Sequence, residues 1–272
     1  MPVLADCHLH SHHSGDSKTP MEEMVLRGIE LGLDTLCFTE HNDFDFPAAP
    51  GDPEDLFLLN ADSYLYELLG LKEKYAGKIK LLFGLELGLT PEAFRQNAVF
   101  ARSHEYDFII GSSHICHGKD PYYPAFFEGR SDEEAYREYF QSELENIKKF
   151  TNFDVYGHLD YVVRYGASKD RDYCYDKYRD IMDAILEALL EAEKGIELNT
   201  GSIRSGMRDF HPCREVLQRY RELGGEIITV GSDAHEPDYL GHCFDDAAKV
   251  LTECGFRYYT VFEKRVPEFR KL

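Results

Sequence analysis

The stretch Asp6-Cys7-His8-Leu9-His10-Ser11-His12-His13-Ser14-Gly15-Asp16 follows an apolar lead-in, Val3-Leu4-Ala5, and makes histidine four of the six residues from His8 to His13. The lead-in reads as a short buried strand, and side chains two apart in a strand point to the same face. His8 and His10 therefore look one way together, with their Cα atoms roughly 7 Å apart. At that separation two imidazoles can bring their nitrogens to about 2.0–2.1 Å from one ion, the usual zinc–nitrogen distance. An expression tag would be an uninterrupted run, whereas these histidines are interleaved with Leu9 and Ser11 behind a strand. A solvated polar loop is the competing reading, and the rest of the chain decides between them.

Working outward, strand-like and helix-like segments alternate. Thr19-Pro20-Met21-Glu22-Glu23 opens a helix with proline in its first turn, and Met24, Val25, Ile29 and Leu33 give it an apolar face. A second strand over 34–39 runs into Glu40-His41-Asn42-Asp43. Residues 44–53, with prolines at 47, 50 and 53, read as an exposed loop able to cover a site, and a long helix is expected over 54–75. Further strands are expected over 79–83, ending in Gly84-Leu85-Glu86, and over 108–110, ending in Gly111-Ser112-Ser113-His114. Three more are expected over 153–158, over 195–199 and over 227–235 with the exit Gly231-Ser232-Asp233-Ala234-His235. Between them, helices are expected from Thr90 towards His104, from the capping box Ser131-Asp132-Glu133-Glu134 to about Phe150, over 176–194, and over 212–223 before Gly224-Gly225. Residues 256–261 read as one last strand or an edge piece.

Repeated strand and helix units imply parallel strands with helical crossovers, and closed α/β barrels gather their active sites at the carboxyl ends of the strands. Here those ends carry His8, His10, His41, Glu86, His114, His158, Asp233 and His235, with Asp16 reaching in from the first loop. Any one of these alone reads better as a hydrogen-bonded core or rim residue. Their common placement at one mouth is what points to a metal site.

With 272 residues and 43% hydrophobic content, the chain is expected to form one domain spanning 1–272. No apolar run approaches the roughly 18 residues of a membrane span, and the histidine cluster begins at residue 8, leaving no room for a removable signal peptide. A cytoplasmic protein with no membrane partner is expected. The seven cysteines are odd in number and contain no C-x-x-C pair, which fits reduced thiols rather than a disulfide framework. A formal net charge of −20 argues against nucleic acid as a partner, since such binding rests on basic faces. A small anion can still bind where a local positive centre, such as bound metal, overrides the surrounding field.

In its motifs the chain resembles the polymerase and histidinol phosphatase (PHP) superfamily, and within it the histidinol-phosphate phosphatases. The matching motifs are Asp6-Cys7-His8-Leu9-His10 with Asp16, Thr39-Glu40-His41, Gly84-Leu85-Glu86, Gly111-Ser112-Ser113-His114, Gly157-His158-Leu159-Asp160 and Gly231-Ser232-Asp233-Ala234-His235. The resemblance implies a distorted TIM-like (β/α)7 barrel with three divalent ions. It implies His8, His10, Glu86 and Asp233 around one ion, Glu86, His114 and His158 around a second, and Asp16, His41 and His235 around the third. Other members can carry histidine in place of Asp16.

Three divalent ions against Asp16, Glu86 and Asp233 would leave about three positive charges, enough to attract a phosphate monoester dianion. Two ions sharing Glu86 can bridge a water and lower its pKa from 15.7 towards about 7. Arg164 and Arg204 stand just beyond the fifth and sixth strand ends and match the phosphate-binding arginines of the resembling enzymes, with Arg208 in reserve. Glu86, Asp233, Arg164 and Arg204 are thus the expected catalytic set. Asp43, with Asp45 nearby, is expected to assist proton transfer or to meet a cationic substrate. Histidine and carboxylate without thiolate suit zinc, manganese or iron. The expected partner is a small-molecule phosphate ester, with L-histidinol phosphate first. A PHP phosphoesterase acting on another small phosphate or nucleotide, and a non-catalytic metal-binding module, are the alternatives.

Overall fold

The computed structural model describes residues 3–47 and 51–272. In chain order the elements are β1 (Ala5–Leu9), α1 (Met21–Leu31), β2 (Thr35–Phe38), β3 (His41–Asn42), α2 (Ala61–Lys74), β4 (Lys80–Gly88), α3 (Phe94–Phe100) and β5 (Phe108–Ser112). They continue with α4 (Asp132–Lys149), β6 (Val155–Tyr156), α5 (Tyr175–Glu191), β7 (Gly195–Asn199), α6 (Gly201–Arg204), α7 (Arg214–Glu222), β8 (Ile228–Gly231), α8 (Phe244–Glu253), β9 (Tyr258–Glu263) and β10 (Val266–Lys271).

Strands covered on both faces read as continuous apolar runs, and β1, β2, β5, β7 and β8 are buried at every residue. They pair in parallel in the order β1-β2-β4-β5-β6-β7-β8, with β3 adding to β4. The two ends of this sheet meet. Asp233 N donates to His8 O at 2.7 Å and His10 N donates to Ala234 O at 2.9 Å, so the sheet nearly closes into a distorted parallel barrel with the helices outside. The Asp6 carboxylate fixes that seam by accepting from Ser232 N (2.9 Å), Ser232 Oγ (2.5 Å) and Gly241 N (3.0 Å). The register also places His41 directly opposite Glu86.

Several expected boundaries move. The helix expected from residue 54 begins only at Ala61, because Asn60 caps it by accepting from Ser63 N at 3.1 Å. Residues 53–58 instead make tight turns, and Asp43 N donates to Phe57 O at 2.8 Å. The helix expected from Thr90 towards His104 is confined to α3, where Asn97 Nδ2 ties it to Gly88 O at 2.9 Å. Of the proline-rich loop, residues 48–50, including Pro50, lie outside the described residues.

Besides the short helix α6, two features went unread in the sequence. Helix α8 is one. The other is the β9–β10 hairpin, of which only the first strand was anticipated. The hairpin covers the amino-terminal ends of the barrel strands: Tyr259 Oη accepts from Leu4 N, Lys264 N donates to Asp107, and Arg265 and Arg270 pair with Asp154 and Asp34. One amino-terminal end is thereby sealed, leaving the carboxyl ends of the strands as the open mouth. No helix among the described residues is long and apolar enough to cross a membrane.

Candidate active site

The mouth holds a cleft of about 430 Å³ lined by Asp16, His41, Asp43, Glu86, His114, His158, Arg164, Arg204, Asp233 and His235, among others. His8 and His10 lie beneath it, fully buried. All nine residues expected to ligate metal are therefore brought to one place.

Glu86 stands at the centre, and its two oxygens face different partners. Oε2 lies 3.0 Å from His8 Nε2, 3.4 Å from His10 Nε2 and 3.0 Å from His41 Nδ1. Oε1 lies 3.2 Å from His114 Nε2 and 3.0 Å from His158 Nε2, and it accepts from Ser112 Oγ at 2.7 Å. Asp233 Oδ1 closes the first group, 3.7 Å from His8 Nε2 and 3.5 Å from His10 Nε2. Asp16 Oδ2 forms a third, 3.0 Å from His235 Nε2 and 3.6 Å from His41 Nε2. The rings pack tightly, with His10 stacked on His41 (4.2 Å between centroids) and on His235 (4.3 Å). The Asp233 backbone has φ 54°, in the left-handed region that few residues other than glycine adopt.

Behind the imidazoles, acceptors fix each ring. Glu197 Oε1 takes the His8 Nδ1 proton at 2.6 Å, and Asp43 Oδ1 takes that of His114 Nδ1 at 2.6 Å. Glu40 accepts from Ser11 Oγ (2.5 Å) and Ser14 Oγ (2.6 Å). Because the single Ser14 hydroxyl proton goes to Glu40, Ser14 Oγ accepts from His10 Nδ1 (3.1 Å) and from His41 N (3.0 Å). In their neutral forms His8, His10 and His114 therefore direct the Nε2 lone pair inward, the arrangement found where histidine ligates metal.

Such an arrangement requires a cation. Among the described residues the buried His10 Nε2 has no hydrogen-bond partner, although it lies between carboxylate oxygens of Glu86 and Asp233. Three acceptors facing one another are repulsive until a proton or metal ion sits between them. The ionisation pattern has the same origin. Burial pushes the Glu86 and Asp233 carboxyls up, yet neighbouring imidazolium charges, His8 foremost, outweigh it and hold both well below the usual range. Burial likewise presses His8 and His114 down, and Glu197 and Glu86, or Asp43 and Glu86, carry them well above it. The spacing also fits: ligands at about 2.0–2.1 Å in a tetrahedron are separated by about 3.3–3.4 Å, close to the contacts among His8, His10, Glu86 and Asp233. These residues fit clustered divalent ions.

The two expected arginines flank the cleft. Arg164, in the 3₁₀ turn Tyr161–Arg164 after β6, lies over the Tyr161 ring (4.7 Å), and among the described residues its buried Nη2 has no hydrogen-bond partner. Its Nε donates to His211 Nε2 at 3.3 Å, and the opposite His211 nitrogen bonds Asp160. Since Arg164 can only donate, His211 carries its proton on Nδ1 and is neutral, in keeping with burial holding it below the ordinary histidine range. Arg204, at the end of α6, donates from Nη2 to Asp233 O at 3.2 Å and lies over the Tyr239 ring. Arg208 does not line the cleft, its guanidinium pairing with Asp170 instead, and Asp45 is exposed outside it. Asp43 serves His114 with one oxygen, while a Cβ on Gly88 would fall 2.0 Å from that same oxygen. Only glycine leaves room there.

Glu197, Glu40 and the Asp160–His211 pair were given no role in the sequence reading. A signal existed for Glu197, a charged residue inside the wholly buried strand β7. None existed for His211, which lies in irregular chain between α6 and α7.

Fold and site together define a parallel α/β barrel whose mouth gathers side chains able to hold metal ions. The PHP domain family profile matches residues 6–201, and the chain belongs to that family. Among curated relatives, the histidinol-phosphatase of Lactococcus lactis is 34% identical over 260 residues, covering 94% of this chain and 93% of that protein. The probable histidinol-phosphatase of Clostridium acetobutylicum is 31% identical, covering 98% of this chain and 100% of its own length. A crystal structure of histidinol phosphate phosphatase from Lactococcus lactis, in complex with zinc, L-histidinol and phosphate, superimposes with a TM-score of 0.88 at 32% identity, covering 98% of this chain and 99% of that one.

Proposed function

We propose that this chain is a metal-dependent phosphomonoesterase that hydrolyses L-histidinol phosphate to L-histidinol and phosphate. One observation carries the chemistry: Glu86 turns one oxygen to His8, His10 and His41 and the other to His114 and His158, inside a cleft flanked by Arg164 and Arg204. The choice of alcohol is supported by the relatives named as histidinol-phosphatases and by the neighbour holding L-histidinol and phosphate, which do not favour a non-catalytic module.

Three divalent ions would be held by His8, His10, Glu86 and Asp233, by Glu86, His114 and His158, and by Asp16, His41 and His235. Zinc is the first choice on the neighbour's zinc, and the donor set also suits manganese and iron. When bound, such ions supply Lewis acidity and activate the attacking water. The remaining work falls to the chain itself. Arg164 and Arg204 grip the non-bridging phosphate oxygens and neutralise charge as the P–O bond to the alcohol breaks. Asp52, Glu54 and Asp120 on the cleft wall, with the second oxygen of Asp43, attract the ammonium and imidazole of the substrate. Phe57, Tyr161 and Tyr165 supply an apolar wall that excludes bulk water. The net charge of −20 supports a small ester over a polynucleotide. A cytoplasmic place for the reaction is supported by seven free cysteines.

A panel of phosphate esters assayed with one metal-loaded preparation tests this. The expected kcat/KM for L-histidinol phosphate exceeds that for p-nitrophenyl phosphate, sugar phosphates and nucleotides by roughly 100-fold, about 2.7 kcal/mol of discrimination. Comparable rates across the panel would reduce the protein to a general phosphoesterase.

A further inference from the structure

We propose that His12, His13 and Glu67 form a separate site for a late first-row divalent cation of the zinc type, beside the cleft rather than in it. The two histidines follow β1 in the same turn that carries Ser11, and Glu67 comes from α2. Glu67 Oε2 lies 3.0 Å from His13 Nε2 and 3.4 Å from His12 Nε2, and the three donor atoms all lie within 4.8 Å of one another. Tetrahedral ligands at about 2.0–2.2 Å from an ion are separated by about 3.3–3.5 Å, so little rearrangement would seat one. None of the three residues lines the cleft.

The donors are already held in place. His12 N donates to Thr19 O at 2.8 Å, His13 N donates to Ser11 Oγ at 3.4 Å, and the two rings lie 4.4 Å apart. One turn before Glu67, Tyr64 anchors the same helix face by donating to Phe38 O at 2.8 Å, and the His13 ring packs against it.

Charge separates this cluster from a second one of similar make-up. Cys116, His117 and Glu138 also come together, but Arg130 pairs with Glu138 and burial pushes the Cys116 thiol up to about 11. That cluster already contains its cation and offers no thiolate near neutral pH. Among the described residues no lysine or arginine pairs with Glu67, whose partners are the two imidazoles. His12 is 43% exposed, so a fourth coordination position faces solvent and the ion would exchange readily. Two imidazoles and one carboxylate select zinc, nickel, cobalt or copper over magnesium and calcium. With three ligands and an open side, this site fills after the cleft.

Equilibrium dialysis of the full chain against micromolar zinc, followed by elemental analysis, provides the test. Wild type is expected to hold one zinc per chain more than Glu67→Gln and one more than His12→Gln, with turnover unchanged in both variants and their melting temperatures in chelator equal to that of wild type. The difference reads the same whether the cleft holds two ions or three. Equal zinc content in wild type and both variants would overturn the site, and so would loss of turnover together with the ion, which would mean that the ion came from the cleft. With cobalt as the probe, the wild type should gain a visible absorption component that both variants lack, and identical spectra would count against the proposal.

Discussion

His8 Nδ1 lies 2.6 Å from Glu197 Oε1, and neither side chain reaches solvent. The other Glu197 oxygen accepts from His158 N and from Asn199 Nδ2, both at 3.1 Å, so one carboxylate braces two of the inward-facing histidines. A Cβ on Gly231 would fall 2.4 Å from Glu197 Oε1 and 2.3 Å from His8 Cβ, which leaves glycine as the residue that fits. Glu197→Gln places an amide NH₂ against groups that already donate. Zinc affinity is expected to fall about 10- to 100-fold, as for other acceptors behind ligating histidines, with the fold retained. Competition against a chelator measures it, and an unchanged affinity would remove Glu197 from the site's support.

Glu86 should matter more than any ligand at the edge, because its oxygens serve two groups of imidazoles at once. Glu86→Ala is expected to lose at least two ions per chain and essentially all turnover. His235→Ala, whose carboxylate partners are Asp16 and Asp233 and not Glu86, is expected to lose at most one. Elemental analysis of the two variants side by side decides the point, and the loss of a single ion from Glu86→Ala would argue against a shared carboxylate.

The Asp160–His211–Arg164 chain yields a prediction about position rather than metal. Arg164→Ala and Arg204→Ala should keep the metals, raise KM and lower kcat, costing about 1.5–3 kcal/mol in kcat/KM, the range for hydrogen bonds to charged groups. His211 acts through Arg164, so His211→Gln should cost less, and the Arg164→Ala/His211→Gln double variant should be no worse than Arg164→Ala alone. Additive losses would show that His211 has a separate role. Metal loss in either arginine variant would mean that the arginines support the ligands instead.

What could be read beforehand was what chain position encodes. The strand exits carry their ligands within three to five residues of the apolar run, so pattern alone placed His8, His10, Glu86 and His114 at one mouth. Arg164 and Arg204 were legible as cations shortly past strand ends. Glu197 was not, because its function depends on pointing across the barrel to a residue 189 positions away. The β9–β10 hairpin escaped for a local reason. Its turn is Lys264-Arg265, both at positive φ (51° and 64°), where Asn-Gly or Asp-Gly would have announced it. Salt bridges from Arg265 and Arg270 to the strand starts hold it in place, and no short-range pattern displays those.

Glu143, on the inner face of α4, is wholly buried, and neither of its carboxyl oxygens has a hydrogen-bond partner among the described residues. Burial, reinforced by Asp160, pushes its carboxyl well above the usual range. The folded state therefore holds a proton that the unfolded chain, with an ordinary glutamate near about 4.3, releases. The sign follows from linkage: this group's contribution to stability is full below the unfolded pKa and is lost as pH rises towards the folded one, by at most about 1.4 kcal/mol per pH unit. Glu143→Gln keeps the shape and removes the titration. In denaturant unfolding with chelator present, so that metal linkage does not contribute, wild type should lose stability relative to Glu143→Gln as the pH is raised above the ordinary glutamate range. Parallel pH profiles for the two proteins would show that Glu143 titrates normally despite its burial.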